Sequence, residues 1–208
     1  VHSVSERSVS YGPLSDGPAT SRIDTARIEA AVLEILAAIG EDPARPGLEL
    51  TPHRVATAYT EFFAGIGVDT DAILATSEIA DETGELVIVR GIEFRSVCEH
   101  HLLPFLGTAH IAYLPGERVV GLGSIARVVD AISSRPQLQE RLTEEIADAL
   151  QAGLRPSGVL VVLDAVHGCV TTRGARQTRS STVTLASRGI LSDPAARAEA
   201  IALIGVTP

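Results

Sequence analysis

The stretch GVLVVLDAVHGCV, Gly158 to Val170, decides how the rest of the chain is read. Its first half is a run of Val and Leu opened by Gly, the pattern of a strand buried in a sheet. Its second half carries His167 and Cys169, two positions apart. Side chains alternate across an extended strand, so both would turn toward one face. A core strand and two groups able to bind metal or move protons thus share one segment.

Working outward, LVIVRGIEFRSV (86–97), GTAHIAYLP (107–115) and STVTLAS (181–187) show the same β-branched, apolar character and read as strands. Between them lie two helical stretches, SIARVVDAISS and PQLQERLTEEIADALQAGL. Pro136 is expected to start the second, whose Leu138, Leu142, Ile146 and Leu150 form an apolar stripe at i, i+4 spacing. Strands, then two helices, then strands imply an α+β fold, an antiparallel sheet with helices packed on one face. Upstream, Asp24 or Thr25 can cap a helix with Ile28, Val32, Ile35, Leu36 and Ile39 at helical spacing, ended by Gly40. A second N-terminal helix is expected from Thr51 as N-cap, with Pro52 at its first position and Gly65 closing it. Residues 1–22, rich in Ser, Gly and Pro, read as a flexible tail. Residues 23–208 read as a single domain, its helical part about 23–85 and its sheet part about 86–190. No internal repeat is visible.

With 208 residues and 45% hydrophobic content, the chain can bury a substantial core. No apolar run approaches the ~20 residues of a membrane span, and no signal-peptide pattern is visible, so a soluble cytoplasmic protein is expected, without a membrane partner. A net charge of −9 argues against nucleic-acid binding, which needs clustered cations. Arg173, Arg176 and Arg179 nevertheless fall close together and suit an anionic small molecule. The two cysteines, in a cytosolic setting, read as metal ligands or buried thiols rather than a disulfide.

Cys98 and His101, in SVCEHHLLPF, have the C-x-x-H spacing that lets two side chains reach one ion from a turn. With Cys169 they make a Cys2His set suited to zinc. Three protein ligands leave a fourth position open, as at catalytic rather than structural zinc. The competing reading is a pair of buried thiols beside histidines satisfied by backbone. His100 and His167 adjoin these residues; each is either a proton-handling group near the ion or an ordinary histidine. His53 and His110 keep the ordinary reading. Gln139 and Glu140 open the second helix. Glu140 is either a solvated charge or a carboxylate accepting the two parallel N–H bonds of a guanine N1 and N2 edge.

EDPARPGL followed by TPHRVA, then CEHHLLPF, AYLPG, RVVGL, RPQLQERLT, DAVHGC and TRGAR together resemble the GTP cyclohydrolase I family. The resemblance runs in family order over about residues 25 to 190. It implies the tunnelling fold and a ring-shaped homo-oligomer, a homodecamer, with active sites between subunits. It also implies a reaction. Water activated by zinc attacks C8 of GTP and opens the imidazole ring, a second hydrolysis releases formate, and the ribose rearranges to give 7,8-dihydroneopterin triphosphate. By match to these motifs, Cys98, His101 and Cys169 are implied as zinc ligands, His167 as the acid that protonates the purine nitrogen, and His100 as an assistant in hydrolysis. Gln139 and Glu140 match the substrate-contacting pair, and Arg54, Arg127 and Arg173 match phosphate-binding positions.

The match fails at two places. Where the family usually reads GLSK, this chain has Gly121 to Ser124, so Gly123 stands for the family Ser and Ser124 for a Lys that contacts the triphosphate. Thr57 also stands where some members carry a further Lys. This departure keeps two alternatives open. One is a diverged paralog that opens a different or less phosphorylated guanine substrate, or stops at a ring-opened intermediate. The other is a catalytically silent binding or regulatory member.

Overall fold

The computed structural model describes residues 23–75, 78–79, 84–116 and 118–205; the expected N-terminal tail lies outside the described residues. In chain order the elements are α1 (Thr25–Ala38), α2 (Thr51–Phe62), α3 (Thr70–Leu74), β1 (Glu78–Ile79), β2 (Val87–Cys98), β3 (Pro104–Leu114), β4 (Arg118–Val119), α4 (Leu122–Ser133), β5 (Pro136–Gln137), α5 (Gln139–Leu154), β6 (Gly158–His167), α6 (Gly168–Thr171), β7 (Thr182–Gly189), a 3-10 turn (Ile190–Ser192) and α7 (Pro194–Ile204). The main sheet has the order β5-β2-β3-β6-β7, and β1 pairs separately with β4. The four long strands are antiparallel, while β5 runs parallel to the end of β2.

Strand β6 reads as an unbroken apolar run because both its faces are covered. Val159, Val161, Leu163 and Ala165 join Phe105, Ala109 and Ile111 of β3 under helices α4 and α5. Ile125, Val128 and Ile132 of α4 and Leu142, Ile146 and Leu150 of α5 complete that core, so the apolar stripe read in the sequence is indeed the buried one. Leu160 and Val162 point the other way and pack with Leu191, Ala200 and Ile204 of the C-terminal segment. Helix α7, which sequence reading left unassigned, therefore covers part of the second face. It is capped by Asp193, whose carboxylate accepts the N–H groups of Ala195 and Ala196.

Three local expectations are corrected. Pro136 does not start a helix: it pairs with Val97 at the sheet edge, where a residue without an N–H is tolerated, and α5 begins at Gln139. Thr51 is not an N-cap; it lies in the first turn of α2, and its hydroxyl donates to the Gly47 carbonyl at 3.4 Å. Gly65 does not close α2, which ends at Phe62. Its N–H donates to Ser134 O at 2.9 Å, and a Cβ there would lie 1.9 Å from Ala131 O. Only glycine lets the chain leaving α2 press against the end of α4. Asp24, by contrast, caps α1 as expected, accepting from Arg27 N at 3.0 Å.

Candidate metal centre and active site

The end of β2 and the start of β3 are joined by a tight turn that carries CEHH. Cys98 closes it from both sides: its N–H donates to Leu103 O at 2.9 Å and its carbonyl accepts from Leu102 N at 2.8 Å. Leu102 adopts φ 51°, the left-handed conformation that bends the chain back toward Pro104. The turn brings His101 Nδ1 to 3.8 Å from Cys98 Sγ.

Cys169 arrives through strand pairing. Phe105 of β3 opposes His167, the last residue of β6, so the chain just beyond His167 reaches the same tip. The expectation that His167 and Cys169 share a strand face is corrected here: the strand stops at His167, and Cys169 lies in the single helical turn α6. That turn fits because Gly168 has no side chain; a Cβ there would lie 2.7 Å from Pro104 O. The ligand atoms of Cys98, His101 and Cys169 all lie within 4.8 Å of one another. Cys98 is buried, Cys169 half-buried and His101 exposed, so the cluster opens outward on its imidazole side.

The donor set suits zinc. Both cysteines are free thiols, and two soft sulfurs with one imidazole nitrogen are typical of zinc sites. Without an ion, burial and then the neighbouring Cys98 push the Cys169 thiol up, so two adjacent thiolates are unfavourable there. A divalent cation removes that conflict, because its charge compensates both sulfurs and its binding releases their protons. Arg173, just beyond α6, places Nη1 3.0 Å from His101 Nε2. His100 is exposed, its ring centroid 6.2 Å from that of His101.

His167 is held differently. Its ring stacks on the fully buried Phe105 at 4.6 Å with a 9° interplanar angle, and its Nε2 lies 2.6 Å from Gln139 Oε1. Burial lowers its pKa, and the Glu140 carboxylate opposes that shift. Gln139 is itself buried at the start of α5. Glu140, next to it, is exposed and lines a cleft of about 530 Å³ with Arg141, Glu144, Thr184 and Leu185.

The metal turn is also tied to α5. Glu99 N donates to Gln137 O at 3.1 Å, the Glu99 carboxylate pairs with Arg141, and Arg141 Nε donates to Gln137 Oε1 at 3.1 Å. Sequence reading gave no role to Arg141, Phe105, Thr143 or Thr184. The one available signal was spacing: Arg141 and Thr143 lie two and four residues after Gln139, on the helix that presents Glu140. Arg54 on α2 and Arg127 on α4 are exposed, and neither side chain has a partner among the described residues or contacts the metal cluster. Gly123 and Ser124 lie in the first turn of α4, with no atom within 4 Å of where a Gly123 Cβ would stand.

The family model for GTP cyclohydrolase I matches residues 28–205, from α1 to the end of α7. The chain belongs to the GTP cyclohydrolase I family. Its sheet, with α4 and α5 inserted between β3 and β6, is that family's tunnelling fold. Relatives agree: GTP cyclohydrolase 1 of Leifsonia xyli is 65% identical over 176 residues, covering 84% of this chain and 92% of that protein. GTP cyclohydrolase 1 of Caldanaerobacter subterraneus is 53% identical over the same length, covering 84% and 93%. Among solved structures, the apo archaeosine synthase QueF-Like aligns at TM-score 0.43 and 18% identity, over 52% of this chain and 97% of that one. Among the described residues no helix is long and apolar enough to cross a membrane.

Proposed function

We propose that this GTP cyclohydrolase I family chain opens the imidazole ring of GTP by hydrolysis, releases formate and forms 7,8-dihydroneopterin triphosphate, with one zinc ion per subunit held by Cys98, His101 and Cys169. The observation that carries the reading is the convergence of those three ligand atoms within 4.8 Å at the tip that also ends in His167. Zinc, when bound, supplies a Lewis acid that makes water nucleophilic near neutral pH. The remaining work falls to the chain. Glu140 accepts the guanine N1–H and N2–H and so selects the base. His167 delivers a proton to the purine nitrogen as the ring opens, and exposed His100 assists in hydrolysis. Gln139 belongs to the same substrate-facing segment. Arg173, with Arg54 and Arg127, holds the triphosphate, for which the guanidinium fork is well shaped.

Residues 23–208 act in this reading as one domain, assembled into a cytoplasmic homodecamer. Two observations support assembly. Among the described residues Arg173 bonds to His101 of the metal cluster, whereas Arg54 and Arg127 bond to none of its residues, so a pocket using all three arginines would draw on neighbours. Leu106 and Val183 on the second sheet face are more than half exposed, at 58% and 51%.

Gly123 and Ser124 favour a second reading, in which the substrate carries fewer phosphates. Incubating the zinc-loaded protein with GTP, GMP and guanosine, and following formate and product mass, separates the two. Formate and the pterin from GTP support the first; formate mainly from GMP or guanosine supports the second. Zinc-loaded protein that releases no formate from any of them refutes both.

A further inference from the structure

We infer that Gln139 is a positioning residue whose side-chain carbonyl fixes His167 as the Nε2–H tautomer and leaves Nδ1 to exchange a proton with the substrate. The inference deepens the proposed function, since it concerns the proton donor of that reaction.

The argument starts from which end of the Gln139 amide faces the histidine. Its Nε2 lies 2.8 Å from the Thr182 carbonyl and 3.3 Å from the Leu163 carbonyl, both of which can only accept. The same nitrogen lies 3.1 Å from Thr184 Oγ1. Flipping the amide would set its oxygen against two carbonyl oxygens in a site where Gln139 is only 2% exposed. The orientation is therefore decided, and Oε1 faces His167 Nε2 at 2.6 Å. An amide oxygen cannot donate, so the imidazole nitrogen must carry the hydrogen.

The hydroxyls around it close the pattern. Thr143 Oγ1 donates to Gln139 O at 2.7 Å, which leaves its lone pairs to accept from Thr184 Oγ1 at 2.6 Å. Thr184, having given its hydrogen to Thr143, can only accept from the Gln139 amide. The two amide hydrogens are shared among three acceptors, the Thr182 carbonyl being the nearest, and reversing the amide would turn its oxygen on two carbonyls that cannot donate. Stacking on Phe105 fixes the plane of the ring, and Gln139 fixes its rotation in that plane. Nδ1 has no partner among the described residues.

Gln139 therefore does for His167 what a carboxylate or carbonyl does for many functional histidines, but with a neutral acceptor. A neutral acceptor sets the tautomer without drawing the proton away from a charge-assisted transfer.

A neutron structure of the zinc-loaded holoenzyme tests this directly and does not depend on the substrate reading. A deuteron on His167 Nε2 directed at Gln139 supports it. A bare Nε2, with the deuteron only on Nδ1, overturns it, whatever the enzyme turns over. Kinetics supply the second arm. Gln139→Met should lower kcat ~10- to 100-fold, the usual cost of losing such a partner, with KM for GTP and zinc content unchanged. Thr184→Val, which only releases the amide, should give a smaller loss of the same kind, and Thr184→Ser should recover most of it. A raised KM with unchanged kcat in Gln139→Met would place Gln139 in contact with substrate and overturn the positioning role.

Discussion

Arg141 gives the sharpest test of how the metal turn is supported. The Arg141→Leu change removes three things: the partly exposed ion pairs with Glu99 and Glu145, and the hydrogen bond to Gln137 Oε1. These differ greatly in weight. Glu99 and Arg141 are both partly exposed, so solvent screens their pairing and it contributes little to stability, even though Arg141 holds the Glu99 carboxyl below the usual range. Gln137 is 2% exposed, and Arg141 is the donor to its Oε1. Leaving that acceptor buried and unpaired costs about 1–3 kcal/mol. For a chain of this size each kcal/mol lowers Tm by about 2–4 °C, so the metal-free protein should melt from a few to about 10 °C lower. Glu99→Gln keeps Gln137 paired and should leave Tm almost unchanged.

Zinc affinity should respond in the same order. Gln137 also holds the turn through its own carbonyl, which accepts from Glu99 N at 3.1 Å, so loosening Gln137 loosens the segment carrying Cys98 and His101. Loss of such outer support typically costs ~10- to 100-fold in metal affinity. Thermal unfolding and competition with a zinc chelator read the two effects separately. Equal Tm losses in Arg141→Leu and Glu99→Gln would show that the ion pair, not the buried amide, carries the support, and the reasoning would be wrong.

Glu140→Gln should cost several kcal/mol in kcat/KM for GTP, because the amide cannot accept both guanine N–H groups; comparable turnover of ATP and GTP by the unaltered enzyme would give Glu140 another role. Ser124→Lys together with Gly123→Ser meets no steric bar at Gly123 and should lower KM for GTP ~10- to 100-fold while sparing guanosine; equal changes for both would exclude a phosphate contact. His110 has its pKa lowered by burial first and then by Arg90, against an opposing pull from Asp164, and its Nδ1 accepts from Gly91 N at 3.3 Å. Since the unfolded chain takes up that proton near pH 6.5 and the folded one does not, stability should fall as pH drops from about 6.5 toward the folded value. Urea denaturation across that range should show His110→Gln with a shallower slope; an unchanged slope would acquit His110.

How much of this was legible depends on the kind of interaction. The sheet and the α5 stripe follow from local periodicity, which Leu142, Ile146 and Leu150 display without any partner. The Cys98, His101 and Cys169 cluster was legible through residue type and motif, whereas the argument that His167 and Cys169 share a strand face failed because the strand ends at His167 and Gly168 opens a helical turn pressed against Pro104 O. Pro136 misled because its local preference is equally good for a helix start and for a sheet edge, and pairing with Val97 decided between them. The partners of His167 could not be read at all. Phe105 of β3 and Gln139 of α5 meet at its ring, and Thr182 and Thr184 of β7 hold the Gln139 amide; only long-range packing brings these elements together.

The phosphate end of the site calls for a different argument from the base end. All 17 basic residues of the chain are arginines, so it contains no lysine. A family Lys that was merely exchanged along with every other Lys should appear as Arg, which keeps the charge. At position 124 it appears as Ser, and at position 57 as Thr, so at both places the charge itself is gone. Cys98, His101, Cys169, His167, Gln139 and Glu140 meanwhile keep the residue types of the motifs this chain resembles. In the proposed reaction the base would meet Glu140 beside His167 and Gln139, whereas the phosphate tail would rest on Arg54, Arg127 and Arg173, which come from separate elements. Arginine as a residue type keeps its charge at pH values where lysine begins to lose its proton. Phosphate binding by this chain should accordingly hold its strength into alkaline solution, and a Lys introduced at position 124 should add affinity that disappears as the pH passes about 10.4.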